Sequence, residues 1–176
     1  PVMSSSRNSE RPNLLVIITH DLGQHLGCYG AGLSTPSLDH LAAQGIRFDN
    51  GFCTAAQCSP SRGSILTGKY PHRNGLVGLA HIGWEFNPGE RTLPTCLNGA
   101  GYETCLLGVQ HESADATTLG YERVVNCGGR ARQVTEGFLD LIPHLADSPR
   151  PFYACLGFVE PHRPFKRDGS DDFDPA

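Results

Sequence analysis

The run Leu14–Thr19, LLVIIT, is apolar at every position up to its closing threonine. A strand with one face in water alternates apolar and polar residues, and this run does not. It reads as a strand buried on both faces, rich in β-branched residues, of the kind found in parallel sheets. That choice commits the chain to helices packed against a sheet. His20 and Asp21 follow directly, at the strand's C-terminal end, the edge where open α/β sheets bind ligands.

The rest of the chain supplies the helices and further strands. Ser34 or Thr35 caps a helix through STPSLDHLAAQG, with Pro36 in its first turn and Gly45 as its stop. IRFDN, Ile46–Asn50, is a candidate strand, and a second helix begins near Pro60 and stops at Gly68. TLPTCLNGAG is a short third helix and YETCLLG a strand. From Gln133 to Ala146, residues Val134, Phe138, Leu141, Ile142 and Leu145 share one helical face, with Pro143 placed to kink or end the helix early. PFYACLGF is another buried strand, followed by VEPHRPF. Strands alternating with helices predict an α/β fold with a mostly parallel sheet. NCGGRAR, Asn126–Arg132, is the expected flexible loop.

Composition narrows the partners. The net charge is -4 and Lys and Arg form no cluster, which argues against nucleic acid or an anionic membrane. The longest apolar run, Leu14–Ile18, is far too short for a bilayer. The seven cysteines contain no C-x-x-C pair, which argues against zinc; Cys96, Cys105 and Cys155 lie in apolar runs as small core residues. Residues 1–10 read as a linker carrying no apolar export segment, and KRDGSDD, Lys166–Asp172, as a solvated loop.

CSPSRGSILTG, Cys58–Gly68, concentrates the chemistry. Pro60 fits a first helical turn, which puts Ser59 or Cys58 at or beside the cap, facing free N–H groups and the positive end of the helix dipole. Arg62 adds a fixed positive charge. A side chain at position 58 would lie in an anion pocket. Two readings stand level: a nucleophilic thiol acting on an anionic substrate, or a structural cysteine beside an ordinary helix start.

Cys58, Pro60, Ser61, Arg62, Leu66, Thr67 and Gly68 match C-x-P-S-R-x-x-x-L-T-G at every fixed position, and the chain therefore resembles the formylglycine-dependent sulfatases of the alkaline-phosphatase superfamily. RPNLLVIITHDLG resembles that family's opening strand and metal loop, AGYETCLLGVQH its G-K-x-H segment, and PFYACLGFVEPHRPF its P-H-x-P segment. The texture is most similar to the heparan N-sulfatase (sulfamidase) branch and its bacterial relatives. The resemblance implies an alkaline-phosphatase-like α/β sandwich, with residues 11–176 as the N-terminal part of a catalytic domain incomplete at its C-terminus. It implies hydrolysis of a sulfate ester or N-sulfate on a sulfated glycan, by a formylglycine that a formylglycine-generating enzyme makes from Cys58. Asp21 would bind a calcium ion with position 58 as a further metal neighbour. Arg62 would hold the nucleophile, and His111 and His162 would contact sulfate, one of them protonating the leaving group. Members are exported, periplasmic or lysosomal.

Two positions depart from the pattern. His20 stands where an aspartate metal ligand is usual, and imidazole suits calcium poorly. Either His20 steps out of the metal's ligand shell, or the site tolerates less negative charge; as a plain strand-end residue it would hydrogen-bond the loop. Val109 replaces the usual lysine, leaving Gln110 as a neutral donor to substrate. The family's later D-N-G segment and lysine have no counterpart after Pro164, so these residues alone would carry the nucleophile with half a metal site. The rival readings are a phosphonate or phosphodiester hydrolase of the same superfamily and an inactive homologue that binds sulfated glycans. His72, Asn74, His81, Trp84 and Glu85 are lesser candidates for lining the pocket.

Overall fold

The computed structural model describes residues 11–163, so the linker expected at 1–10 and the solvated loop expected at 166–172 lie outside the described residues. Four strands, β1 (Leu14–Ile18), β2 (Glu103–Gly108), β3 (Arg123–Val125) and β4 (Phe152–Gly157), pair in the order β1-β4-β2-β3. Every pairing is parallel, as the apolar runs predict. Ile18 of β1 and Gly108 of β2 both lie opposite Gly157 of β4, so three strands end at one level.

The period-2 alternation of the central strands builds two cores. On one face Leu106, Tyr153 and Cys155 pack with Leu14, Val16 and Ile18, and with Leu66, Leu93 and Leu97 from helices α2 (Cys58–Thr67) and α4 (Leu93–Gly99). On the other, Cys105, Leu107, Ala154 and Leu156 pack against Val134, Leu141 and Leu145 of helix α5 (Ala131–Asp147). The result is a helix–sheet–helix sandwich. Helices α1 (Pro36–Gln44) and α3 (Pro71–Asn74) flank α2 in sequence. Among the described residues β1 lies at the sheet edge, and Leu15 and Ile17 stay 46% and 55% exposed. No helix of the described residues is long and apolar enough to cross a membrane.

Several local expectations change. Ile46–Asn50 forms no strand; Ile46 and Phe48 are exposed, and the segment lacks a strand neighbour among the described residues. Cys96 is exposed on α4, whereas Cys105 and Cys155 are buried as expected. Pro143 does not end α5, which runs on to Asp147. The carbonyl that loses its donor there belongs to Leu139, an exposed residue that water can reach. The Asn126–Arg132 loop is fastened at its end: Val159 N–H donates to Gly129 O (2.8 Å), and Ala131 N–H to a Glu160 carboxylate oxygen (3.0 Å).

Candidate active site

The C-terminal ends of β1 and β4 build one side of the site. Phe158 N–H donates to Ile18 O and His20 N–H to Glu160 O, both at 2.9 Å, which zips the two outgoing loops together. That pairing brings His162 beside His20 and Asp21. The His20 and His162 rings meet edge to face with centroids 4.8 Å apart, and His111, from the loop after β2, lies 5.0 Å from His20. Asp21 adopts φ 57°, the left-handed region that few non-glycine residues visit and that aspartate tolerates better than most.

Helix α2 builds the other side, and its packing explains most fixed positions of the 58–68 stretch. Gln57, in extended conformation, is the N-cap, so Cys58 lies beside the cap, as expected, and opens the helix itself. Ser59, Pro60, Arg62 and Leu66 form the buried face, with Leu66 in the core. The Thr67 hydroxyl donates to Gly63 O (2.7 Å) and accepts from the Asn74 amide (3.0 Å). Gly68 closes the helix at φ 67° and donates to Ser64 O, a left-handed cap that glycine adopts without steric cost. Asn74 is therefore fully buried framework rather than pocket lining. His20, Asp21, Gln57, Cys58 and Arg62 share one cavity of about 650 Å³.

Arg62, only 4% exposed, lies one helical turn beyond Cys58. Its Nη2 donates to Val109 O (2.7 Å), and its Nε lies 3.3 Å from Oε1 of Glu112, itself 4% exposed. The other Glu112 oxygen accepts the His111 N–H (2.6 Å). Glu112 is thus the site residue that sequence reasoning missed. The signal was an acidic residue beside His111, just past a buried strand and facing a buried arginine. Arg62 Nη1 is buried without a hydrogen-bond partner, a donor still available to an anion.

Gly157 makes the Val109 contact possible. A Cβ there would sit 1.9 Å from Val109 O, and one on Gly108 would sit 2.2 Å from Gly157 O. Gly157→Ala is expected to push the Val109 carbonyl off Arg62 and cost about 1–3 kcal/mol, as overpacking does. A lowered urea midpoint at unchanged m-value would show it; an unshifted midpoint would mean that the two strand ends separate freely.

The histidines are electrically tuned. Burial, then the charges of His20 and Arg62, push the His111 imidazole down to about 4. Burial, then Arg62 and His162, lower His20 as well. Burial and the neighbouring positive charges thus both favour the neutral form of these two rings. Gln110 spends its amide on its own turn, accepting from the N–H groups of Glu112 and Ser113 and donating to Ser113 O. His81 adds to the positive field at His111, and Trp84 packs over Gly78.

His20, Asp21 and His162 each offer a ligand atom, all within 4.8 Å of one another. Two of these three donors are imidazole nitrogens, which calcium takes less readily than oxygen. The His20 side chain makes no hydrogen bond to the loop: Nε2 is buried and unpartnered, and Nδ1 lies 3.8 Å from Asp21.

Comparison with known proteins gives consistent relatives. The Sulfatase family profile matches residues 12–175. N-acetylglucosamine-6-O-sulfatase of Bacteroides thetaiotaomicron is 42% identical over 105 residues, covering 58% of this chain and 18% of the relative. Human N-sulphoglucosamine sulphohydrolase is 33% identical over 164 residues, covering 86% of this chain and 32% of the relative. A solved structure in complex with its substrate D-glucosamine-2-N,6-O-disulfate superposes with a TM-score of 0.68 at 28% identity, covering 88% of this chain and 35% of that one. The chain thus spans about a third or less of the length of these relatives.

Proposed function

The chain belongs to the sulfatase family, and from that premise we propose that the protein carrying it hydrolyses a sulfate ester or N-sulfate on an amino sugar of a sulfated glycan. The observation that carries this reading is the place of Cys58. It opens α2, faces a cavity of about 650 Å³, and has Arg62 one turn behind it. An anion there meets the first-turn N–H groups, the dipole end and a guanidinium together. The glucosamine sulfates named for the relatives support an amino-sugar substrate.

The site fits a modified Cys58. Converted to formylglycine and hydrated, position 58 would supply an oxygen nucleophile together with a second hydroxyl that lets sulfate depart. The chain's own residues do the rest. Arg62, held by Val109 O and Glu112, balances negative charge beside position 58. His111, neutral and pinned through its backbone by Glu112, offers a hydrogen bond to a sulfate oxygen. Val109, in place of a lysine, leaves Arg62 as the fixed cation at this wall. The formylglycine-generating enzyme is expected to act before α2 forms, because Ser59, Pro60 and Arg62 are buried once it has.

Peptide mass spectrometry across Phe52–Arg62 of the full-length protein, made with the modifying enzyme, is expected to show the aldehyde or its hydrate. Sulfate release from an aryl sulfate and from glucosamine N-sulfate should exceed turnover of a phosphonate monoester. An unmodified thiol, or a preference for phosphorus, would overturn the reading.

A further inference from the structure

We propose that His20, Asp21 and His162 form a nitrogen-rich divalent-metal site that selects a borderline ion of the Zn²⁺ or Ni²⁺ class over Ca²⁺, with His162 serving as a metal ligand. The inference deepens the site proposed above and assigns the ion that this chain's donors favour.

Geometry comes first. Ligands held about 2.1 Å from an ion lie at most about 4.2 Å apart. The three donor atoms already lie within 4.8 Å of one another, so the trio closes on an ion with small side-chain shifts. Both Asp21 oxygens are engaged symmetrically: Oδ1 is 3.8 Å from His20 Nδ1, and Oδ2 is 3.8 Å from His162 Nε2. These separations are too long for hydrogen bonds and suit donors sharing an ion.

The second observation is the state of His20. It is 5% exposed, its Nε2 has no hydrogen-bond partner, and its Nδ1 faces only the Asp21 carboxylate. A buried imidazole normally has its nitrogens satisfied, and this one has both in reserve. The left-handed backbone of Asp21 holds its carboxylate between the two rings, the kind of local strain that persists where a site requires it. Imidazole nitrogen beside a single carboxylate suits zinc, nickel and their neighbours, whereas calcium takes six or more oxygens.

Full-length protein, stripped by a chelator, would be given equimolar Ca²⁺, Ni²⁺ and Zn²⁺ and freed of excess by gel filtration. Elemental analysis is expected to find one transition ion per chain, retained at least about tenfold over calcium, since imidazole donors disfavour the harder ion. Co²⁺ loading should give absorption bands characteristic of nitrogen ligation. His20→Asp should move the preference toward calcium, and His162→Gln should lose the transition ion. His25→Gln, at an exposed histidine outside the trio, should change nothing. Circular dichroism would confirm that each variant is folded. Calcium retained against equimolar zinc, an unmoved preference in His20→Asp, or full metal content in His162→Gln would each overturn the proposal. Metal content is read without turnover, so this outcome is separate from the mass and sulfate-release tests of the sulfatase reading.

Discussion

Cys58→Ala in the full-length protein is expected to lower sulfate release by on the order of 10⁴-fold or more, the scale seen when an enzyme loses its nucleophile. Stability should change by less than about 1 kcal/mol, because the thiol anchors nothing. The bonds that fasten α2 run through Ser59, which accepts from Ala80 N–H, through Ser64, which accepts from the Thr54 hydroxyl, and through Thr67, which accepts from the Asn74 amide. Cys58→Ser sharpens the test. A serine hydroxyl can attack sulfur, but the ester so formed has no second hydroxyl on the same carbon to expel sulfate. One equivalent of substrate should react and the sulfate should stay on the chain, visible as added intact mass without further turnover. Multiple turnover by either variant, made in a host unable to modify serine, would remove position 58 from the chemistry.

The features legible in the sequence are those set by a local pattern. The apolar runs of β1, β2 and β4 and the helical face of α5 follow from periodicity, and Gly68 from the left-handed turn that ends α2. Features set by distant neighbours were not legible. Arg123–Val125 is a strand because the edge of β2 accepts it; its three residues carry no strand pattern of their own. Asn74 looks like a loop residue until Thr67 offers it a partner seven positions away. The same holds at the site. His20 and Asp21 announce themselves at a strand end, and Cys58 and Arg62 by their spacing on a helix. That His162 completes a trio with the first two depends on the hydrogen bonds between the loops after β1 and β4. Glu112 was invisible because its meaning lies in Arg62, fifty positions earlier in the sequence.

That last pair yields the other large effect. Arg62→Ala is expected to cost about 3–5 kcal/mol, because it leaves the Glu112 carboxylate buried without its cation. It also removes the donor to Val109 O and the positive wall behind Cys58, so sulfate release should vanish with it. Glu112→Ala should cost a similar amount from the other side, leaving a guanidinium buried with one hydrogen bond to Val109 O. The decisive measurement is the double replacement Arg62→Met with Glu112→Leu. Apolar groups of similar volume carry no desolvation penalty, so most of the lost stability should return in urea unfolding. Activity should not return, because no cation then faces position 58. Recovery of stability without activity separates the two tasks of Arg62: its burial is a cost that Glu112 and Val109 offset, and its charge is there for the anion. Purely additive losses in the double variant would mean that Arg62 and Glu112 are stabilised independently and that Glu112 does not position Arg62.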